Sequence, residues 1–503
     1  MNRLLLLVYL LCSFEVRAQD KLYSERYRPQ FHYTPAKNWC NDPNGLVYFN
    51  GNYHLFFQYN PEGNRWGHMS WGHAISHDLV HWKQLPLAIP EEKGFMIFSG
   101  SAVLDTQNTS GLARQPGSWP MVAVYTGNMS RDPAHPEQTI QAQQIAYSLD
   151  SGTKWTQYAK NPVIDLHLAD FRDPSAFWYA PDKKWILATV LPKEHVIRFY
   201  SSPNLIEWTQ LSDFGPAGDT TDIWECPSLV EVPIADGGGK KKWVLFNSLP
   251  GTMQYFVGEF DGQKFTSENP PSKIFRPDYG SDFYAGIVYN DLPAGHFPIL
   301  LGWANNWAYA QDIPTSPWKG MMSLPRALSL KKDNQSWILL QRPVQTLSGL
   351  RNKSWEKDNI QVNGTTTIPM TSNQCEIEMS WHPKANEVSG IYLAEGKGRP
   401  LKIGYDANQG QLFFDRTGVG EQSFNAAFGK RSGYSSGIHL KNGELTLRIF
   451  FDHSLVEIFA NDGESVMTLQ IFPVDGNDGL ALFSEKGNMQ FDRVSIWTMK
   501  SIW

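Results

Sequence analysis

One turn recurs along the first half of the chain. Ser76-His77-Asp78-Leu79-Val80-His81-Trp82, Ser148-Leu149-Asp150-Ser151-Gly152-Thr153-Lys154-Trp155 and Ser202-Pro203-Asn204-Leu205-Ile206-Glu207-Trp208 each carry a Ser, a turn-forming Asp or Asn and a closing Trp. A weaker copy ends at Phe265. Around these turns lie short β-branched or aromatic runs bounded by Gly, Pro, Asn or Asp, such as Tyr53 to Tyr59, Met121 to Tyr125 and Gln254 to Gly258. Such runs are strands, and no long helix-period stretch interrupts them. Repeats of roughly 50 residues built from short strands suggest propeller blades. About five fit between residues 25 and 340. Periodicity alone leaves a generic β-sandwich as the alternative.

Three further segments share a second design: an acid, a nearby proline, then an apolar run. They are Asn41-Asp42-Pro43-Asn44-Gly45-Leu46-Val47-Tyr48, Arg172-Asp173-Pro174-Ser175-Ala176-Phe177-Trp178-Tyr179 and Glu225-Cys226-Pro227-Ser228-Leu229-Val230-Glu231-Val232. Proline has no N–H and a fixed φ, so it suits the first residue of a strand and not its middle. Each segment therefore reads as a carboxylate at the mouth of a buried strand. The innermost strands of a propeller run in one sense along the central axis. If these segments open such strands, Asp42, Asp173 and Glu225 meet in one funnel. Phe98 to Leu104 and Phe283 to Tyr289 are the candidates for the other two blades.

After about residue 345 the texture changes to charged turns and strict alternation, as in Glu444 to Asp452 and Ser454 to Phe459. Period-two alternation suits sheets with one wet face. The expected architecture is all-β: a five-bladed propeller over 25–345 followed by a C-terminal β-sandwich over 355–503. The linker is expected around Leu347 to Asn359.

The ends and the charge narrow the function. Met1-Asn2-Arg3, an apolar run from Leu4 to Cys12 and Val16-Arg17-Ala18 read as a secretory signal peptide over 1–18, with a buried first helix as the alternative. The run is too short to span a bilayer, and a secreted or periplasmic product is expected. A net charge of −6 argues against nucleic acid or an anionic membrane as partner. Outside the signal only Cys40, Cys226 and Cys375 remain, so this is not a disulfide scaffold. No zinc-type Cys/His spacing or acidic calcium loop occurs, and neither metal nor cofactor is expected. The chain holds 19 Trp; most belong in the core, with a few left to stack on sugar rings.

Three carboxylates without histidine neighbours suit glycoside cleavage better than metal binding. One carboxylic acid protonates the leaving oxygen and one carboxylate acts on the opposite side of the anomeric carbon. The acid needs a pKa raised by burial and nearby negative charge. A third carboxylate can hold hydroxyls. Arg172, next to Asp173, is expected to bind hydroxyls and keep Asp173 ionised.

Here Trp39-Cys40-Asn41-Asp42-Pro43-Asn44-Gly45, Phe98-Ser99-Gly100-Ser101, Phe171-Arg172-Asp173-Pro174 and Trp224-Glu225-Cys226-Pro227 resemble the signature segments of glycoside hydrolase family 32, and the late Phe451 to Phe459 segment resembles one in its sandwich. The resemblance implies a five-bladed propeller and β-sandwich, and a retaining enzyme that releases terminal fructosyl units from fructans and sucrose. Carried over by motif, Asp42 is the nucleophile, Glu225 the general acid/base and Asp173 the transition-state stabiliser. The implied substrate contacts are Trp39, Asn41, Gln58, Trp66, Phe98, Ser99, Arg172 and Trp307, with Trp318 a poorer candidate. Cys40 departs from the family, which usually has Met there. Cys40 and Cys226 are expected as buried thiols rather than a bridge. An invertase acting mainly on sucrose, a fructosyltransferase, an arabinose- or xylose-directed relative and a non-catalytic secreted sugar-binding propeller are the rival readings.

Overall fold

The computed structural model describes residues 22–92, 95–115, 117–130, 138–333, 336–429 and 432–503; the expected signal peptide, 1–18, lies outside them. Among the described residues the only helical elements are two 3₁₀ segments, Ala180–Asp182 and Gln345–Leu350. Five sheets follow one another, antiparallel and in chain order except that the short strand Trp318–Lys319 leaves the fifth to join the first. Their first strands are β1 (Asn38–Phe49), β2 (Met96–Leu104), β3 (Arg172–Tyr179), β4 (Glu225–Pro233) and β5 (Tyr284–Val288). These five touch in cyclic order, β1 to β2 and on round to β5 and β1 again. That is a five-bladed propeller with its first strands about the axis.

The recurring turn joins the third and fourth strands of blades 1 to 3. Asp78 accepts the N–H of Val80 and His81, Asp150 that of Lys154, and Asn204 those of Ile206 and Glu207. Each turn passes through the left-handed region, at Leu79, at Ser151 and Gly152, and at Leu205. Asx side chains close such turns because they mimic a backbone acceptor. The ring is closed by Trp318–Lys319, a two-residue strand from blade 5 that runs parallel to Asn38 and Trp39 of β1. Gly320 permits this approach: at φ +89°, a Cβ there would lie 1.9 Å from the Cys40 carbonyl oxygen.

All five innermost strands lose register at the same point. Two residues of the inner strand face one of its neighbour after Cys40, Ile97, Arg172, Glu225 and Tyr284. These are β-bulges, which re-aim side chains. Asp173, Cys226 and Ala285 occupy equivalent bulge positions and share φ values of 61°, 48° and 53°. The prolines are therefore not first residues as expected. Pro43, Pro174 and Pro227 lie inside the strands at or beside the bulge, where the ladder is already broken and a missing N–H costs nothing.

The C-terminal region is a two-layered sandwich. Two long strands, β6 (Arg351–Thr367) and β11 (Gly479–Met499), pair with each other and pass from one layer to the other. The first part of β11 lies beside Val388–Glu395 and its last part beside β7 (Gln374–Trp381). β7 continues through β8 (Leu445–Asp452) and β9 (Leu455–Ala460) to an edge strand, β10 (Ser465–Gln470). Alternate inward residues of these strands, among them Ile377, Ile449, Ile458, Leu469 and Ile496, make one apolar core. The expected linker is instead the Gln345–Leu350 turn and the start of β6. Trp355 packs on the core and Arg351 pairs with Glu376, so that stretch has partners to order it.

The free edge of β10 is covered by the propeller. Tyr279 and Asp282 donate their N–H groups to the Val466 and Thr468 carbonyls, at 2.8 and 3.0 Å. In return the Asp278 and Asp282 carboxylates accept the Thr468 and Gln470 N–H groups, each at 2.9 Å. Arg326 binds both Asp278 and Glu457, and His32 bridges Asp452 and Glu457. An unpaired strand edge is thereby removed from solvent.

Candidate active site

The bulges bring the three predicted acids together. Asp42 comes from blade 1, Asp173 from blade 3 and Glu225 from blade 4. The Cys226 Sγ lies 3.6 Å from an oxygen of both Asp42 and Asp173, and the Cys226 N–H donates to the same Asp173 oxygen at 2.9 Å. The acids do not hold equivalent register positions. Glu225 is the last paired residue before its bulge, Asp173 the first bulged residue and Asp42 the second. The longer glutamate side chain suits the position set furthest back.

Asp42 is 8 % exposed and both its oxygens are engaged: Asn41 Nδ2 donates at 2.9 Å and Ser99 Oγ at 2.7 Å. Asn41 is itself fixed by the Trp39 indole N–H at 2.7 Å. Burial pushes the Asp42 carboxyl up; the bonds from Asn41 and Ser99 pull it back, the Glu225 charge adds to the rise, and the net direction is upward.

Asp173 is 6 % exposed, and its N–H donates to Thr126 Oγ1. Its carboxyl is pushed up to about 7: burial raises it, Arg172 lowers it and Glu225 raises it further. Arg172 draws Asp173 towards the ionised form as expected, but burial and Glu225 outweigh it. The guanidinium turns to Glu225, at 3.0 Å, and to Asp170, at 3.0 Å. Asp170 in turn pairs with Lys193 at 2.6 Å.

Glu225 takes Arg172 on Oε1 and the Tyr284 phenol on Oε2. Tyr284 was not among the sequence candidates, because its segment carries no acid. Its register was the available signal: Tyr284 holds in blade 5 the position that Arg172 and Glu225 hold in theirs. Cys226 and Asp170 were missed as well, since their roles depend on which blades become neighbours.

Trp39, Phe98 and Trp307 pack in one cluster with Cys226 and Tyr284, beside the acids. Trp39, fully buried, meets Trp303 and Trp307 at centroid distances of 5.8 and 5.9 Å, and Trp307 also meets Tyr284. Trp66 is 40 % exposed and stands edge-on to Phe98 at 6.1 Å. Gln58 is buried and gives its amide hydrogens to Asn44 and to the Ile97 carbonyl, tying blade 1 to blade 2. Trp318 is buried under the Arg28 guanidinium, away from this wall. Cys40, Cys226 and Cys375 are buried free thiols. Past the acids the axis narrows to a cavity of about 20 Å³ lined by Pro43, Ser99, Asp173, Pro174 and Pro227, room for about one water. No group of His, Cys, Asp and Glu among the described residues could hold a metal ion.

The funnel thus offers three carboxylates, one nearby guanidinium and several aromatic faces. Such a site suits an uncharged, hydroxyl-rich ligand that becomes cationic as it reacts.

Comparison with known proteins agrees. The family model described as Glycosyl hydrolases family 32 N-terminal domain matches residues 32–343, and that described as Glycosyl hydrolases family 32 C terminal matches residues 345–498. A levanase of Bacillus subtilis (strain 168) is 43 % identical over 97 % of this chain and 72 % of its own. An extracellular exo-inulinase of Aspergillus awamori is 39 % identical over 96 % of each chain. The crystal structure of exo-inulinase from Aspergillus awamori superposes with a TM-score of 0.89 at 38 % identity, covering 96 % of this chain and all of that one.

Proposed function

Because the chain belongs to the glycosyl hydrolases of family 32, we propose that its funnel removes fructosyl units with Asp42 as nucleophile, Glu225 as general acid/base and Asp173 as stabiliser. The protein is a glycoside hydrolase acting on fructans, a β-fructofuranosidase. The observation that carries the assignment of roles is the convergence of carboxylates from three blades: buried Asp42 and Asp173 meet at the Cys226 thiol, and partly exposed Glu225 is held beside them by Arg172.

Glu225 protonates the glycosidic oxygen while an Asp42 oxygen attacks the fructosyl C2. The C2–O bond to the leaving sugar breaks and a fructosyl ester forms on Asp42. Glu225, now ionised, takes a proton from water; the water oxygen attacks C2 and frees Asp42, with configuration retained. Bonds from Asn41 and Ser99 fix Asp42 for the attack. Asp173 accepts fructose hydroxyls, and its charge favours the cationic transition state. Trp39, Asn41, Gln58, Trp66, Phe98, Ser99, Arg172 and Trp307 form the fructose pocket.

The narrowing behind the acids supports exo attack, because a cavity of about 20 Å³ cannot pass a sugar ring. Five relatives carry the description extracellular, and no helix among the described residues is long and apolar enough to cross a membrane. Both fit export after removal of residues 1–18.

The test is product analysis of the full chain on sucrose, inulin and levan. Free fructose is expected as the first product from each. Oligomers appearing first would contradict exo action, longer chains at high sucrose would reveal a transferase, and no fructose at all would leave a sugar-binding propeller.

A further inference from the structure

The sandwich reaches the propeller beside the site through two buried side chains, Arg416 and Gln470. Arg416 follows the strand Gln411–Asp415 and is fully buried. Its Nη1 donates to Asp282 Oδ2 and to the Gln470 carbonyl, each at 2.8 Å, and its Nη2 donates to the Tyr309 hydroxyl at 2.8 Å. The Tyr309 hydroxyl also bonds Asp282 Oδ1. Gln470, at the end of the edge strand β10, donates its amide to Asn305 Oδ1 at 2.8 Å and to the Ala304 carbonyl at 3.1 Å.

The targets of these bonds lie on the propeller, directly behind the funnel wall. Asp282 is two residues before Tyr284, whose phenol meets Glu225. Ala304 and Asn305 lie between Trp303 and Trp307, and Tyr309 is two residues beyond Trp307. β5 is only five residues long, with a bulge in its first half, so its own sheet pairs Tyr284 with Trp303 and resumes at Ile287. Backbone this lightly paired needs support from elsewhere. That support is the β10 edge, the Arg416 guanidinium and the Gln470 amide.

We propose that Arg416 and Gln470 of the sandwich are positioning residues for the hydrolytic reaction, setting Tyr284 against Glu225 and Trp307 against the fructose pocket through Asp282, Tyr309 and Asn305. The sandwich is in this sense part of the active-site frame. The proposal rests on the reading of Glu225 as general acid/base given above. A misplacement near 1 Å costs on the order of a hundredfold in rate, so small losses of fixation are measurable.

The experiment compares full-length wild type, Arg416→Lys, Gln470→Met and Tyr309→Phe on sucrose, with kcat, KM, the pH profile of kcat/KM and Tm for each. Arg416→Lys keeps the charge but not the fork that holds Asp282, Tyr309 and Gln470 together. Among folded variants kcat/KM is expected to fall about tenfold or more, with the limb assigned to Glu225 displaced in Arg416→Lys and KM raised in Gln470→Met. A purely structural role would lower Tm and leave the kinetics and pH limbs at 25 °C as in wild type; that result overturns the proposal. If Arg416→Lys does not fold, Tyr309→Phe decides: it removes one oxygen, and an unchanged pH profile in it overturns the proposal equally. Tyr284→Phe separates this inference from its premise. If Tyr284→Phe shifts the limb and the sandwich variants do not, the positioning role is wrong and the reading of Glu225 stands. If Glu225→Gln turns over normally, the premise itself is wrong.

Discussion

Two clusters of buried carboxylates sit in this molecule, and they are built on opposite terms. In the funnel Asp42, Asp173 and partly exposed Glu225 have one guanidinium nearby, Arg172, and it pairs with Glu225. At the domain junction Asp278, Asp452 and Glu457 meet His32 and Arg326, and nearby Asp282 meets Arg416. The consequence appears in their ionisation. Burial would raise Glu457, but Arg326 and His32 outweigh it and hold it below the ordinary glutamate value. Asp42 and Asp173 are both raised, and at the junction burial raises Asp278 too, against the pull of Arg326, so the contrast rests on Glu457. Matched buried charge holds two domains together; unmatched buried charge leaves carboxylates ready to exchange protons and to meet a developing cation.

The contrast breaks most visibly by substitution in the funnel. Asp42→Asn or Glu225→Gln is expected to lower kcat by about a thousandfold or more; Asp42→Asn should leave Tm unchanged or higher, because it removes a buried charge with no ion-pair partner, whereas Glu225→Gln also gives up the pair with Arg172. Steady-state kinetics beside calorimetry check both halves. At the junction the effect reverses in kind. Arg326→Met leaves Asp278 and Glu457 without their shared cation and is expected to cost about 3–5 kcal/mol of stability, read from denaturant unfolding.

A pH series sharpens the same contrast. His32 is pushed up to about 9: burial lowers it, and the bonds to Asp452 and Glu457 more than reverse that. A raised folded pKa means stability that is complete below about 6.5 and is lost as pH rises through about 9. Tm should therefore fall across that window in wild type and fall less in His32→Gln. Asp173 acts in a lower window. Its carboxyl is raised in the folded state, so the native protein keeps a proton that the unfolded chain has lost. Stability then declines between about pH 4 and 7, and Asp173→Asn should remove that slope. The smallest effect is at the rim, where half-exposed Trp66 bears on binding alone. Trp66→Ala is expected to raise KM about tenfold, near 1.4 kcal/mol, with Tm barely moved.

Much of the fold could be read in advance because its signals are local. A Ser, an Asx and a Trp within a few residues form the turn that repeats from blade to blade, and no distant contact is needed to form it. The acids could be read because each lies beside a proline and an apolar strand. The prolines were misplaced by that same reasoning: a strand that breaks its ladder inside a bulge tolerates proline where a regular strand does not. Tyr284, Cys226 and Arg416 stayed hidden for another reason. Each matters through neighbours far away in the chain, and blade order in space, not residue type, supplies those neighbours. That the linker stretch begins a long strand was not legible either, since its charged residues are ordered by β11 and by Glu376.

The most direct test is to trap the intermediate. Full-length Glu225→Gln is mixed with a fructosyl fluoride, whose leaving group needs no acid, then quenched and mapped by peptide mass spectrometry. A fructosyl ester on the peptide that carries Asp42 is the expected result. An adduct on another residue, or turnover at the wild-type rate with no adduct, would contradict the assignment of Asp42 and Glu225.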